Sequence, residues 1–220
     1  MTLIATDFPP FTSADLPEQG FFTAIAQASL QAAGYPSTVT FQPWARVMAQ
    51  MRKGQFDAVL AVWYQKQREQ FLAFSEPLWT NRIGFYGRAE QLIDVRQLAA
   101  LKPYTIGVVR DYANPPQFDA AQLNTDAAVD DLGNLRKLQA GHVDLVLIDR
   151  AVAEFLLRTR LREGADQLVW LDPPLASMPL YIGFARNRPG YQRRLEAFNR
   201  GLAIIRANGE YDRIIKRLSR

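Results

Sequence analysis

The chain has 220 residues, of which 48% are apolar and 22% are charged, and its net charge is +4. This length and balance are typical of a globular protein made of one domain or two small lobes. The sequence contains no cysteine, which excludes disulfides, thiolate metal sites and a cysteine nucleophile. Its apolar stretches are interrupted by polar residues, glycine and proline, so none predicts a membrane span.

The positive charge is concentrated at the C-terminal end. From Arg186 onward there are ten Lys or Arg residues against three Asp or Glu. Such a segment raises nucleic acid or an anionic membrane surface as a partner. However, apolar residues between Tyr191 and Ile205 recur at helical spacing, with the arginines mostly on the opposite face. The pattern favours an amphipathic helix whose arginines face solvent, and we expect no nucleic-acid partner.

The first half of the chain alternates strands and helices. A Pro-rich turn follows the first strand, Gly34 stops the first helix and Pro43 suits the first turn of the second. The predicted strands are 2–6, 39–41, 57–62 and 82–87, and the predicted helices are 22–33 and 43–54. This alternation predicts an α/β fold with parallel strands.

A second unit of the same kind is predicted to begin near Leu92. Its predicted strands are 105–109, 143–148, 168–171 and 180–185, and its helices are 116–122, 131–140 and 150–161, before two basic-backed helices close the chain. That last segment has no unit of its own, so we expect it to pack on the first lobe. The predicted division is residues 1–86 with 184–220 as lobe 1, and residues 87–183 as lobe 2.

An internal echo supports two similar lobes. Gly54 and Asp57 recur 87 positions later as Gly141 and Asp144, each pair between a helix and an apolar strand. One Gly-x-x-Asp is weak evidence, because glycine is common where a helix ends. Two copies at one offset, each in its own α/β unit, predict that the units share their local structure.

Candidate binding residues stand where the predicted strands end, because open α/β sheets bind ligands beyond the carboxyl ends of their strands. In the first unit they are Asp7, Phe8, Trp63, Tyr64 and Arg68, with Trp44 near the start of a helix. In the second unit they are Arg110, Tyr112 and Asp149. The sequence Asn114-Pro115 resembles a capped helix start, whose free N–H groups suit an anion.

Two of these residues suggest a zwitterionic ligand. The guanidinium of Arg68 is suited to grip a carboxylate with two parallel hydrogen bonds, and Asp149 is suited to accept from an ammonium. The aromatic candidates would cover the rest of the ligand. Structural interpretations compete with each assignment: Arg68 as a surface cation, Asp149 as a helix cap, and Trp44 as half-buried core.

Other chemistry has little support in the sequence. The single histidine, His142, lies in a turn, so a multi-histidine metal site is not available and a Ser-His-Asp triad would have to use that residue. Neither a P-loop nor a G-x-G-x-x-G motif is present. We therefore predict no metal, no cofactor and no catalytic residue.

Several stretches resemble one known family, the bacterial extracellular solute-binding proteins of family 3, which serve polar amino acid transporters. They are Pro9-Pro10-Phe11, "GQFDAVLAVWYQKQREQFLAFSEPL", "IGVVRDYANPPQF", "GHVDLVLIDRAVAEFLL" and the closing "ANGEYDRI". The resemblance implies a type II periplasmic-binding-protein fold, with two α/β lobes joined by hinge segments near residues 86–89 and 180–183. It also implies that Arg68 holds an α-carboxylate, that Asp149 holds an α-ammonium, and that Phe8 and Trp44 line the pocket.

The chain departs from the family pattern at two places. Tyr64-Gln-Lys-Gln stands before Arg68, where the family usually has Thr-x-Thr-x-x, and the second-lobe loop reads Asp111-Tyr112-Ala113 instead of Gly followed by two hydroxyl residues. Hydroxyl donors to a carboxylate are thus replaced. A larger, aromatic or modified amino acid, or another small carboxylate, fits this pattern as well as a standard amino acid.

The resemblance implies a monomeric periplasmic protein, its leader removed before residue 1, that binds an amino-acid-like ligand between two lobes. It would then deliver the ligand to an ABC permease in the inner membrane. Two alternatives stay open: an enzyme on the same scaffold, similar to cyclohexadienyl dehydratase, and the ligand-binding sensor domain of a larger receptor.

Overall fold

The computed structural model describes residues 1–91 and 93–218. The chain forms two compact units: unit 1 comprises Met1–Trp79 and Pro179–Arg220, and unit 2 comprises Thr80–Met178. The predicted start of a second unit at Leu92 lies outside the described residues. The predicted lobe boundaries, at 86/87 and 183/184, stay predictions.

The elements alternate along the whole chain. The strands are β1 (Thr2–Ala5), β2 (Thr38–Phe41), β3 (Ala58–Trp63), β4 (Leu72–Phe74), β5 (Trp79–Arg88), β6 (Ile106–Val109), β7 (Thr125–Ala128), β8 (Leu145–Asp149) and β9 (Leu168–Ala185). The α-helices are α1 (Phe21–Ala32), α2 (Trp44–Arg52), α3 (Pro116–Ala120), α4 (Asp131–Gln139), α5 (Arg150–Thr159), α6 (Tyr191–Ala207) and α7 (Glu210–Leu218). The predicted α/β fold class is confirmed.

Unit 1 is built on a mixed sheet. Strand β1 pairs in parallel with β2 and β3, while the C-terminal part of β9 runs antiparallel to β3 and β4. Helix α1 packs closely on α6, at a point where Gly201 leaves no room for a side chain against the backbone of Ser29. The apolar faces of both helices are buried, as Phe22, Ile25 and Phe198 show.

Unit 2 repeats this arrangement. Strand β6 pairs in parallel with β7 and β8, and β5 runs antiparallel to β8. Helix α4 packs on β6 and β8. Gly107 of β6 allows this close approach, because a Cβ there would meet the side chain of Asn134.

Three sequence-based expectations about strands were wrong. The expected parallel sheet is mixed, because β5 and β9 run antiparallel to their neighbours. Two separate strands were expected at 168–171 and 180–185, but β9 is continuous through Asp172-Pro173-Pro174, a sequence that suggests a break. Strands β4 and β7 were missed, because β4 has three residues and "TDAA" in β7 lacks the β-branched pattern.

The internal echo corresponds to one local structure present in both units. In unit 1, Asp57 N donates to Thr2 O at 2.9 Å, and Thr2 N donates to Asp57 Oδ2 at 2.9 Å. In unit 2, Asp144 and Thr105 exchange the same two hydrogen bonds, both at 2.9 Å. The aspartate of each Gly-x-x-Asp therefore fixes the start of a neighbouring parallel strand, β1 in unit 1 and β6 in unit 2.

The C-terminal helices have the predicted amphipathic pattern. Phe198, Leu202 and Ile205 are buried, whereas Arg193 and Arg200 of α6 are exposed. None of the helices within the described residues is both long and apolar enough to cross a membrane.

Candidate functional site

Arg68 is a buried residue of unit 1. It lies in a short 3-10 turn, Lys66–Gln70, that follows β3, and only 5% of its surface is exposed. Its Nη1 donates to the backbone carbonyl oxygen of Trp63 at 2.8 Å. The interpretation of Arg68 as a surface cation is therefore wrong, because the turn folds the side chain back onto the end of its own strand.

An aromatic ring lies against this guanidinium, and it belongs to a group of buried aromatic residues in unit 1. The Arg68 Cζ lies 5.4 Å from the centroid of the Trp44 ring, within the range of a cation–π interaction. The Phe8 and Trp63 rings meet edge to face at 5.7 Å, and Phe8 stacks on Phe11 at 5.2 Å. Phe8, Trp44 and Trp63 are each less than a tenth exposed. Unit 1 thus brings four predicted residues together: Phe8, Trp44, Trp63 and Arg68.

The other two candidates of unit 1 are exposed. Tyr64 is 46% exposed, its hydroxyl donates to Glu69 Oε1 at 3.0 Å, and its ring packs on Phe74 at 5.2 Å. The hydrogen bond to Glu69 raises the pKa of Tyr64. Asp7 is exposed beyond the end of β1. Neither contributes to the buried Arg68 cluster through these contacts.

A local backbone distortion precedes the cluster. Ala61 of β3 has a φ of 53°, which is unusual for a residue with a side chain, and the pairing of β3 with β9 shifts register between Val59 and Val62. Such a bulge changes the direction of the residues that follow it, here Trp63. Nothing in the apolar run of β3 indicated this bulge.

Asp149 of unit 2 is a helix cap. It is 2% exposed and ends β8, and its Oδ1 accepts from Val152 N at 3.0 Å at the start of α5. Its Oδ2 accepts from Arg82 N at 3.2 Å. Burial raises the pKa of Asp149 to about 6, although the backbone N–H groups of Val152 and Arg82 oppose this rise. The capping interpretation is right, and it does not exclude a ligand contact.

The loop after β6 differs from the expected anion site. Helix α3 has five residues and begins at Pro116, and its N-cap is Pro115 rather than Asn114. The Asn114 side chain donates instead to Asp119 Oδ1 at 3.1 Å. The helix begins at Pro116 as predicted, but the expected cap was wrong, because the first of two consecutive prolines stands between Asn114 and the helix.

The two predicted residues of this loop have different surroundings. Arg110 is exposed, and its backbone N donates to Ala128 O at 3.0 Å, which extends the pairing of β6 with β7. Tyr112 is half-buried, and its hydroxyl donates to Asp131 Oδ2 at 3.1 Å. Tyr112 thus connects the loop to the start of α4.

Asp131 is a buried carboxyl of unit 2 that the sequence did not single out. It is the first residue of α4 and is 5% exposed. Burial raises its pKa to about 7, the Tyr112 hydroxyl opposes this rise, and the charge of Asp149 adds to it. The doublet Asp130-Asp131 is the feature of the sequence that could have pointed to this residue. Asp130 caps α4 by accepting from Gly133 N at 2.7 Å, so the cap does not need the carboxylate of Asp131.

The sequence of the whole chain matches one family. The family described as bacterial extracellular solute-binding proteins, family 3, matches residues 2–218. The chain belongs to this family. The resemblance suggested by the sequence motifs is confirmed.

Several known proteins are similar to this solute-binding protein in sequence or in fold. A "Probable histidine-binding protein" of Neisseria gonorrhoeae is 22% identical over 218 residues, which is 94% of this chain and 78% of that protein. An amino acid ABC transporter substrate-binding protein of Streptococcus pneumoniae, solved with L-arginine, has a TM-score of 0.81 at 16% identity and covers 99% of this chain and 94% of its own. A histidine kinase sensor domain similar to periplasmic binding proteins has a TM-score of 0.86 at 17% identity, covering 99% and 95%. The structural likeness confirms the type II periplasmic-binding-protein fold.

Each unit buries ionisable side chains of a kind that can bind a charged group. Unit 1 of the solute-binding protein offers a buried guanidinium among aromatic rings, and unit 2 offers two buried carboxyls, Asp131 and Asp149. A guanidinium suits a carboxylate, and a carboxyl group suits an ammonium or guanidinium. Among the described residues, no group of three or more His, Asp or Glu side chains is placed to hold a metal ion.

Proposed function

We propose that this solute-binding protein captures a small amino-acid-like molecule in the periplasm and delivers it to an ABC permease of the inner membrane, without covalent chemistry. Its family and the solved substrate-binding protein of an amino acid ABC transporter support this proposal. The observation that carries it is the buried guanidinium of Arg68. Protonated arginine is costly to bury, so its burial beside aromatic rings suggests a functional role.

Arg68 is held in a fixed orientation. Its Nη1 is anchored on Trp63 O, and the Trp44 ring lies against the guanidinium. A group fixed before binding loses little conformational entropy when it meets its ligand. A planar guanidinium matches a carboxylate with two parallel hydrogen bonds. Unit 1 would therefore recognise the carboxylate of the ligand, and Phe8 and Trp63 would cover its apolar part.

Unit 2 would recognise the opposite charge. Asp149 lies at the position where family members typically bind an α-ammonium, and Tyr112 belongs to the loop that typically contacts the ligand.

Isothermal calorimetry with L-arginine, L-histidine and L-glutamine tests this proposal. We expect at least one of them to bind the wild-type protein, and Arg68→Ala to abolish that binding. Arg52→Ala is the matched control, because Arg52 also lies against an aromatic ring, Phe71 at 5.1 Å, but is exposed. Circular dichroism spectra would show that both variants are folded. Unchanged affinity in Arg68→Ala would contradict the assignment.

An enzymatic function on this scaffold is the second candidate. The specific observation in its favour is the buried carboxyl of Asp131, whose raised pKa of about 7 suits a general acid at neutral pH. Incubation with prephenate or arogenate, followed by detection of an aromatic product, separates this function from binding alone. Product formation that Asp131→Asn removes would establish the enzyme.

A sensor function is favoured by the similarity to the histidine kinase sensor domain. A sensor and a transport protein can share the same binding chemistry, so the ligand experiments do not separate them. A gene that encodes a membrane span and a signalling domain after this chain would establish the sensor.

A further inference from the structure

The two buried carboxyls of unit 2, Asp131 and Asp149, differ in the hydrogen bonds that their oxygens accept. Both oxygens of Asp149 accept backbone hydrogen bonds, from Val152 N and Arg82 N. Within the described residues, the side chain of Asp131 accepts from Tyr112 Oη and from its own backbone N–H. A carboxylate has about four acceptor positions, so Asp131 retains unused capacity.

Asp131 also has no internal counter-ion. No Lys or Arg of the described chain forms an ion pair with it, and the charged groups that influence it are Asp149 and Asp130, both acidic. A buried carboxylate without a cation is expensive, and proteins avoid the cost by protonation or by pairing. Because the described residues supply no cation to pair with Asp131, the cation would have to come from a bound ligand.

A second buried polar group lies on the same helix as Asp131. Asn134 is one helical turn further along α4, on the same buried face, and is fully buried. Neither its Oδ1 nor its Nδ2 has a hydrogen-bond partner in the part of the chain that the structure describes. Buried amides are nearly always paired, so this one is unusual. The start of α4 therefore holds two polar side chains with unused hydrogen-bonding capacity.

We propose that Asp131 is the residue of unit 2 that receives the cationic group of the ligand, with Tyr112 as the residue that positions it. This inference rests on the proposed binding function and moves the main cationic contact from Asp149 to Asp131. Tyr112 Oη donates to Oδ2 of Asp131, and the carboxylate has further acceptor positions that an ammonium or guanidinium could use. The ligand class is then a molecule with a positively charged nitrogen, and carboxylates that lack one are excluded.

A metal ion is a poorer fit than a nitrogen cation. A hard divalent ion is bound by several oxygen ligands, usually six or more for calcium. Asp131 is a single carboxylate, and one of its oxygens already accepts from the Tyr112 hydroxyl. The described residues include no group of three potential metal ligands. One carboxylate oxygen is, however, a sufficient partner for one N–H group.

The test compares Asp131→Asn with Asp130→Asn by calorimetry at pH 8. The two substitutions remove the same charge from adjacent residues, and asparagine caps a helix as well as aspartate does. The probes are L-arginine, L-histidine and L-glutamine, each with its Nα-acetyl derivative. We expect Asp131→Asn to weaken the binding of a free amino acid roughly ten-fold or more and Asp130→Asn less than about two-fold.

Tyr112→Phe tests the positioning role through a pH profile. In the wild-type protein, affinity should fall as the pH drops below about 7, because protonation of Asp131 removes its charge. Without the Tyr112 hydroxyl the carboxylate is less stabilised, so this midpoint should move to higher pH. In Asp131→Asn the step near pH 7 should be absent, and any remaining pH dependence should lie lower, near the pKa of about 6 of Asp149. A Tyr112→Phe profile that matches the wild type would overturn the positioning role.

The outcomes separate this inference from the proposed function. If Arg68→Ala abolishes binding but Asp131→Asn binds like the wild type, the inference fails and the function stands. Equal affinity for free and Nα-acetylated L-glutamine would also overturn the inference, because the acetyl group removes the only cation of that probe. If none of the probes binds the wild type, the proposed function fails together with the inference.

Discussion

Asp57 and Thr2 are joined by a reciprocal pair of hydrogen bonds: each backbone N–H donates to the other residue, one to Thr2 O and one to Asp57 Oδ2, both at 2.9 Å. Arg188 also lies 2.9 Å from Asp57 Oδ1, so the C-terminal segment is tied to the same carboxylate. Asp144 repeats the backbone exchange in unit 2, but its arginine, Arg88, is more distant at 3.6 Å. The two copies share a geometry and differ in their ion pairs.

Asp57→Asn should therefore destabilise the protein more than Asp144→Asn does. Asp57 is nearly buried, and loss of its charge weakens hydrogen bonds to Thr2 and Arg188 that together are worth about 2 kcal/mol. The Asp144 side chain is 30% exposed, so its ion pair is screened and we expect about 1 kcal/mol or less. Urea denaturation of both variants measures the two losses of stability. Equal losses would contradict the prediction that Asp57 contributes more than Asp144.

The effect of Asp57→Asn should depend on pH. Burial opposes ionisation of Asp57, but the Thr2 N–H, Arg188 and Arg194 outweigh it, so the pKa is lowered from 3.8. A carboxyl with a lowered pKa stabilises the folded state above its unfolded pKa, and this contribution is lost as the pH falls through the folded pKa. The difference between wild type and variant should be full at pH 7 and should narrow below about pH 4. A difference independent of pH would show that the charge is not the cause.

Gly201→Ala should disrupt the packing of α1 on α6. A Cβ at this position would overlap the carbonyl oxygen of Ser29, which belongs to the backbone and cannot rotate away. We expect a loss of about 3 kcal/mol, in the range of overpacked cores. The control is Gly133→Ala in α4, where the nearest atom is a side-chain oxygen of Asp130 at 3.2 Å and alanine favours the helix. Thermal unfolding should show a large fall in Tm for the first variant and little change for the second.

Trp44→Leu should weaken ligand binding by roughly five-fold, which corresponds to about 1 kcal/mol for a cation–π contact. The ring of Trp44 helps to hold the Arg68 guanidinium, and leucine keeps an apolar residue without that interaction. Phe71→Leu is the control, because it removes the cation–π contact with Arg52 on the same unit. Calorimetry with L-arginine should distinguish the two, and equal loss in both variants would indicate a general effect of packing.

The sequence was informative where one residue follows directly from a strand. Arg68 could be selected because it stands just beyond β3, and Asp149 because it ends β8, which are local relationships along the chain. The Gly-x-x-Asp echo was predictive for the same reason, since a repeated local pattern forms the same hydrogen bonds twice. Element types were recovered wherever the apolar periodicity was strong.

The features that the sequence did not reveal depend on contacts between distant segments. The importance of Asp131 arises from Tyr112, which lies 19 positions earlier, and from burial that the polar doublet does not indicate. Strand β7 forms because β6 offers a parallel edge, although its own residues have low strand propensity. The bulge at Ala61 arises in the pairing of β3 with β9, more than 100 positions away.

The stability of the ligand-free protein should fall as the pH rises from about 4 to about 7. The folded-state pKa values of Asp131, about 7, and Asp149, about 6, are raised by burial above the ordinary value of 3.8. A carboxyl with a raised pKa favours the folded state while it is protonated, and that contribution is lost as the pH rises through the folded pKa. Asp131→Asn should therefore raise the Tm at pH 8, and an increase of 1 kcal/mol corresponds to about 2–4 °C in a protein of this size. At pH 4 the variant and the wild type should have the same Tm. If Asp131→Asn had a lower Tm than the wild type at pH 8, the Asp131 carboxylate would be stabilised by other groups of the protein.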